Sequence, residues 1–438
     1  MNLLPTMEGL HAAEAFNPAF LEAFFRLVGR LEDEPEAHAE ALRGKIVASV
    51  FLEPSTRTRL SFEAAAHRLG ASVLTVADAK NSSASKGESL ADTARMLGSY
   101  ADLVVLRHAK DGASRHFARD AGVPVVNGGD GRIGHPSQTL VDLYTLFRAW
   151  GSFRGRTLGL MGDLMHGRTA RSLAWAGAAL GLRLVLLPGA GLDWESSFEQ
   201  RLLDRFDFRL RWAKHPLFTA WTGSAEARVL EPKDLVQKVL FDQDRIDLGA
   251  IDALYLTRLQ DERGAVSAGD SYPGVTPEQM EDGLLRDCLL LHPLPRRDEL
   301  PTSLDGDPRM LAFRQAACGP VVRQALFLAL LGREKESLPP LTPLPIGREE
   351  EGMAPCPNPN CVSRAEGLPT SWRVVGKTRR SFLCAFCDTL LPVDYAGCAS
   401  TRRVHPLHSQ AVLRIRPENL RPFRAREEAL EQGFSWGG

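Results

Sequence analysis

The sequence predicts an α/β protein: two doubly wound parallel-sheet domains followed by a small, β-rich, metal-binding module. Three observations predict it. Short apolar runs alternate with helical periodicity from Lys45 to Leu291, and strands that are apolar on both faces need a parallel sheet covered by helices on each side. The alternation restarts at Arg156, which implies a second sheet. Four of the seven cysteines crowd into a C-terminal window behind a proline-rich stretch. That pattern suits a metal site in a reducing compartment better than a disulfide framework.

The elements follow in order. KIVASVFL reads as a strand, and the stretch after it, EPSTRTRLSFEAAAHRLGA, as a helix whose Phe62, Ala65, Ala66 and Leu69 share one face. Ser55 or Thr56 falls at its cap. A helix N-terminus set among hydroxyls and arginines is an anion site, with phosphate the first candidate. ASVLTVAD, DLVVLRH and VPVVNGGD read as further strands; SLADTARMLGSYA, DGASRHFARDAG and HPSQTLVDLYTLFRAWG read as the helices between and after them. In the second series RTLGLMGDL, LRLVLLPG, IDALYLTRL and DCLLLHPLP are strands, and GRTARSLAWAGAALG is a helix. The stretch from Trp212 to Asp247 is poorly periodic and takes no assignment. The final run from Arg309 is helical and should break at Gly319-Pro320, because proline cannot sit inside a helix but starts one well. The expected boundaries are 1–150 for the first domain, completed by a helix at about 309–331, then 151–308, a semi-extended linker at 332–355, and the cysteine module at 356–438.

Bulk composition narrows the function. A chain of 438 residues exceeds one core. The net charge of −1 gives no global field for nucleic acid or an anionic membrane. Anion binding must therefore come from local clusters. The N-terminus lacks the basic start and apolar core of a signal peptide, and the run ALFLALL is too short to span a membrane, so a cytoplasmic protein is expected. Ligands of open α/β sheets bind beyond the C-terminal ends of the strands. Polar clusters stand at such ends: STRTR, NSSASKGES, Arg107-His108, HPSQ, GDLMHGR, TRLQDER and HPLPRRDE. They are rich in arginine and hydroxyls and lack a Ser–His–Asp set, which suits charge stabilisation rather than nucleophilic catalysis by the protein.

From about residue 10 to 331 these motifs, in this order, closely resemble the aspartate carbamoyltransferases, which join carbamoyl phosphate to L-aspartate in pyrimidine synthesis. STRTR followed by SFE and HPSQTLVD carry the resemblance. HPLPR and Lys86 favour aspartate over ornithine as acceptor. The resemblance implies that Ser55, Thr56, Arg57 and Thr58 hold the phosphate, and that Arg107 bridges phosphate and carbonyl. It implies that Thr58, Arg107 and His135 point at the carbonyl oxygen, His135 as a neutral polarising group rather than a base. Gln138 and the backbone carbonyls of Leu294 and Pro295 would hold the carbamoyl NH2. Arg168, Arg258 and Gln260 would grip the aspartate carboxylates. Ser82 and Lys86 would enter from a neighbouring subunit, so the family likeness implies a homotrimer with shared sites and possible pairing of trimers. Two local departures stand out: one lysine in the SSASKGES loop, and Met165-His166 in GDLMHGR where the family commonly has lysine-tyrosine. Catalysis requires no cofactor.

Cys356, Cys361, Cys384 and Cys387 form C-x4-C and C-x2-C knuckles, a pattern for a tetrahedral structural zinc. CPNPNC resembles the zinc domain of the separate regulatory chain found with many bacterial relatives. Here it is fused through a linker too short to contain a nucleotide-binding domain, so CTP or ATP feedback by that route is not expected. Three alternatives compete: another amine acceptor such as ornithine, a non-catalytic scaffold for a pathway partner such as dihydroorotase, and nucleic-acid binding through Arg364, Arg373, Lys377, Arg379 and Arg380. The intact phosphate loop opposes the scaffold, and basic residues on such modules more often face solvent or protein.

Overall fold

The computed structural model describes residues 9–78, 83–233, 245–261, 272–331, 338–342, 348–349, 355–369, 371–376 and 380–437. Its first sheet contains β1 (Gly9–Leu10), β2 (Ile46–Phe51), β3 (Ser72–Val76), β4 (Leu103–His108) and β5 (Val125–Asp130), in the order β1-β5-β4-β2-β3. Every pairing is parallel, with Val47 set between Val73 and Leu103. The two central strands β2 and β4 are almost wholly buried, as their apolar runs require. Helix Thr56–Arg68 buries Phe62, Ala65 and Ala66, and Leu69 follows them into the core.

The second sheet contains β6 (Thr157–Gly162), β7 (Arg183–Pro188), β8 (Phe208–Lys214), β9 (Glu226–Pro232), β10 (Arg245–Ile246), β11 (Ala253–Thr257) and β12 (Leu289–Leu291). Its order is β10-β8-β9-β7-β6-β11-β12. The expectation of a parallel sheet holds for β7, β6, β11 and β12 but not for β9, which runs antiparallel to both β7 and β8. The unassigned stretch is the cause. Between β8 and β9 lies only helix Pro216–Thr222, closed by Gly223 at φ 76°. That connection is shorter than the dozen or so residues of a parallel crossover, so the chain returns antiparallel. Residues 234–244 lie outside the described residues.

Helices Ala312–Ala317 and Gly319–Leu330 are separated by the expected break. The second packs back against helices Pro18–Asp33 and Thr56–Arg68 of the first sheet, with the Phe62 and Phe327 rings 5.8 Å apart. Part of the linker is fastened to the N-terminal segment: Thr342 N–H donates to Ala15 O at 2.8 Å and Asn17 Nδ2 to Pro340 O at 3.0 Å.

The C-terminal region is β-rich as expected and holds two sheets. β13 (Arg348–Glu349), β14 (Ser371–Val375) and β15 (Ser381–Cys384) form an antiparallel sheet beside the cysteine knuckles. β16 (Tyr395–Cys398), β17 (Arg403–Pro406), β18 (Leu420–Phe423) and β19 (Ser435–Trp436) form a second sheet, antiparallel except for the parallel β17–β19 pair, with Val404, Phe423, Ala429 and Phe434 as its own small core. Among the described residues no helix is long and apolar enough to cross a membrane.

Candidate active site and metal centre

A cleft of about 520 Å³ opens between the C-terminal ends of the two sheets. The turn after β2 brings Ser55, Thr56, Arg57 and Thr58 to its wall. Ser55 is the N-cap of helix Thr56–Arg68, yet its side chain makes no capping hydrogen bond. The expected self-cap is therefore not formed, and the first-turn N–H groups are not closed by their own cap, which suits an incoming anion. Arg107, at the end of β4, His135, capping helix Pro136–Trp150, and Gln138, in its first turn, reach the same cleft. The second sheet contributes Arg168 at the start of helix Arg168–Ala179, Arg258 and Gln260 after β11, and Leu294 and Pro295 after β12.

One carboxylate ties the two halves. Glu53 Oε2 stands 3.1 Å from Arg107 Nε and 3.2 Å from Arg168 Nη2. Arg168 also donates to Gly131 O at 2.8 Å. Burial and the neighbouring Arg107 push Arg168 down to about 10, against the pull of Glu53; burial and Arg258 likewise lower Arg57. Cations that depress one another in a shared pocket favour a polyanion there. Gly129 permits this crowding: at φ 112°, a Cβ there would stand 3.0 Å from Arg107 Nη1 and 3.2 Å from both Arg168 Cζ and His135 Cδ2.

Buried groups hold these side chains in place. His135 N–H donates to Ser172 Oγ at 3.0 Å, and its Nδ1 lies 3.3 Å from Ser137 Oγ. Asp163 accepts from Gln260 N–H at 3.0 Å and from His166 N–H at 2.9 Å, so His166 of the departing GDLMHGR motif braces this turn. His292 accepts Leu294 N–H at Nδ1 (2.8 Å) and meets Glu299 at Nε2 (2.9 Å), fixing Leu294 at φ 55°. The sequence reading missed Glu53, Asp163, His292 and Gln315. Asp163 and His292 do sit inside quoted strand-end motifs, and Glu53 stands just before STRTR; that position was their only signal.

Two expected residues stand apart. Lys86 is exposed in the turn Ser83–Lys86 and does not line the cleft of its own chain. Ser82 lies outside the described residues.

The sulfur atoms of Cys356, Cys361, Cys384 and Cys387 are buried and lie within 4.8 Å of one another. Cys356 and Cys387 are 3.5 Å apart, and Cys361 and Cys384 are 3.7 Å apart. Four thiolates about 2.3 Å from a tetrahedral zinc stand roughly 3.8 Å from each other, so the set fits that ion. Cys398 is outside the cluster, and Cys288 and Cys318 are buried in the α/β core. The knuckles dock on the first half of the same chain. Asp111 exchanges backbone hydrogen bonds with Asn360 and Val362, and its carboxylate accepts from Asn358 Nδ2 at 2.7 Å. Arg115 grips Asp388 with two bonds, of 2.7 and 3.0 Å, and Arg373 reaches the same carboxylate at 2.5 Å. Arg373 thus faces protein; Lys377 and Arg379 lie outside the described residues.

Residues 10–148 match the model of the aspartate/ornithine carbamoyltransferase carbamoyl-P binding domain, and residues 349–394 that of the aspartate carbamoyltransferase regulatory chain metal binding domain. The class of protein is therefore a carbamoyltransferase bearing a regulatory-type metal module. The aspartate carbamoyltransferase catalytic subunit of Thermoplasma acidophilum is 40% identical over 309 residues, covering 68% of this chain and 89% of the relative. That of Methanothermobacter thermautotrophicus is 41% identical over 305 residues, covering 69% and 88%. Among solved structures, the catalytic subunit of M. jannaschii aspartate transcarbamoylase is 31% identical with a TM-score of 0.60, covering 74% of this chain and 98% of that one. Aspartate transcarbamoylase from Trypanosoma cruzi, solved with carbamoyl phosphate and aspartate, is 28% identical with a TM-score of 0.58, covering 75% and 99%. The chain belongs to the aspartate carbamoyltransferase catalytic-subunit family.

Proposed function

We propose that this chain transfers the carbamoyl group of carbamoyl phosphate to the amine of L-aspartate, giving N-carbamoyl-L-aspartate and phosphate for pyrimidine synthesis. One observation carries the reading: Arg57, Arg107, Arg168 and Arg258 converge from two sheets on one cleft with a helix N-terminus and the Leu294–Pro295 loop. In this reading the phosphate sits on the Ser55–Thr58 turn, and Arg107 spans phosphate and carbonyl. Gln138 and the carbonyls of Leu294 and Pro295 accept from the carbamoyl NH2. Arg168, Arg258 and Gln260 hold the two carboxylates of aspartate. The uncharged amine forms a C–N bond to the carbamoyl carbon. Negative charge then builds on the carbonyl oxygen under Thr58, Arg107 and His135, and the C–O bond to phosphate breaks. The leaving phosphate takes the amine proton. Each preorganised donor at the oxyanion is worth about 3 kcal/mol, and holding both anions side by side contributes about 7 kcal/mol or more.

A homotrimer with shared sites fits the same reading. Lys86 stands outside its own cleft, on the turn that follows edge strand β3. Exposed Leu74 on β3, Leu60 on the helix packed against it, and Met96 and Tyr100 on helix Leu90–Tyr100 offer apolar surface on that side. Lys86 then reaches the next subunit's cleft. The metal module serves assembly and stability, and the chain works in the cytoplasm.

A carbamoyl-transfer assay with aspartate and ornithine in parallel tests the activity. Turnover with aspartate alone is expected; turnover with ornithine, or with neither, contradicts the reading. Mixing Lys86→Ala chains with His135→Ala chains, each strongly impaired alone, tests the sharing. Activity rises above that of either variant if sites are shared, and does not rise if each chain is self-contained.

A further inference from the structure

We propose that Asp142 is a positioning residue that sets the orientation of the carbamoyl amide, an inference that rests on the activity proposed above. Asp142 lies on helix Pro136–Trp150, one turn beyond Gln138, and is fully buried. A carboxylate in that setting is unfavourable unless it does something that apolar packing could not. Burial pushes its pKa up to about 7, against the pull of Gln138, Gln315 and Arg323.

The hydrogen bonds indicate what it does. Asp142 Oδ1 accepts from Gln138 Nε2 at 2.8 Å and from Gln315 Nε2 at 2.5 Å. Above its pKa of about 7 the carboxylate has no hydrogen to give, so in that form both amides turn their NH2 groups toward it. Gln138 is left with its carbonyl oxygen as the atom it offers to the cleft, and that atom can only accept a hydrogen bond, as from the carbamoyl N–H. A flipped amide would present hydrogens to the hydrogens of the carbamoyl NH2.

Gln315 carries the constraint to the far side of the same group. Its Oε1 accepts His292 N–H at 3.0 Å. His292 in turn receives Leu294 N–H at 2.8 Å. One oxygen of Asp142 is thus linked to the Gln138 side chain on one side and, through Gln315 and His292, to the loop bearing the Leu294 and Pro295 carbonyls on the other. These are the acceptors assigned to the carbamoyl NH2. The chain that links them spans two sheets, and residues 142 and 315 are 173 positions apart.

The consequence is selectivity for an NH2 group. Acetyl phosphate has the same phosphate and carbonyl with a methyl in place of the amine, so it probes this network alone. Affinities of carbamoyl phosphate, acetyl phosphate and inorganic phosphate are to be measured by calorimetry on the full-length, zinc-loaded protein. In Asp142→Ala, carbamoyl phosphate weakens by about tenfold or more while the other two change by less than about twofold. Asp142→Asn retains an acceptor oxygen and restores the preference. Should Asp142→Ala not fold, Gln315→Met cuts the same chain with little change of volume and reduces the preference in the same direction. Equal weakening of all three ligands, or an unchanged carbamoyl preference in Asp142→Ala and Gln315→Met, overturns the inference. A wild-type protein without carbamoyl preference overturns the proposed activity itself, and that result is read before any substitution is made.

Discussion

Asp142 sets a stability cost against a recognition role, and the two separate with pH. Its carboxyl titrates near 7 in the folded chain and near 3.9 when unfolded. Between those values the unfolded chain releases a proton that the folded chain keeps, so folding stability falls as pH rises and levels off above the folded value. Asp142→Asn lacks this titration. It is therefore expected to be more stable than wild type at pH 8, by an amount on the order of a few kcal/mol, and to lose that advantage near pH 4. Urea denaturation at pH 4, 6 and 8 measures it; an advantage that does not vary with pH contradicts the burial argument. Arg258→Ala tests another single group. The KM for aspartate is expected to rise by roughly ten- to a hundredfold, as for the loss of one charged hydrogen-bonding group, with inhibition by phosphate unchanged. His135→Asn is expected to lower kcat by about a hundredfold while keeping the acidic limb of the pH–rate profile, and loss of that limb would make His135 a general base.

At the scale of elements, what was legible in the sequence was what is local. The strand KIVASVFL and the helix from STRTR are each encoded in one short window, and so were the strand ends that carry the site. The cysteine knuckles were legible for the same reason: spacing alone sets which sulfurs can meet. The antiparallel course of β9 was not legible, because it depends on the length of a connection whose periodicity is weak. Nor were Asp142 and Gln315, which look like ordinary helix residues until the last helices fold back over the first sheet. The sheet of residues 395–436 was hidden within an assumed zinc domain because its strands are only two to four residues long. The knuckles yield their own test. Cys384→Ser is expected to lose about one zinc per chain and to melt the metal module at lower temperature while the α/β body stays folded; metal analysis with two-step thermal unfolding reads both. Arg115→Ala leaves Asp388 buried with half its partners, a loss of about 3 kcal/mol or more. Limited proteolysis should then release the module from the body.

For the whole molecule, the metal module docks on its own chain, where regulatory-type modules of the matched family belong to a separate chain by name. The stretch from Leu331 to Arg348 is too short to enclose a nucleotide-binding domain. Aspartate saturation is accordingly expected to be the same with and without CTP, and a shift would show a nucleotide site elsewhere. The central claim is that guanidiniums from two sheets hold an acyl phosphate and a dicarboxylate together in one cleft. Its most direct test is a calorimetric titration with N-(phosphonacetyl)-L-aspartate, which joins the two anions in one molecule. The account predicts one ligand per chain, bound at least about a hundredfold more tightly than phosphate or aspartate alone, and lost in both Arg57→Ala and Arg168→Ala. Binding no tighter than either half, or insensitive to one of the two substitutions, would contradict it.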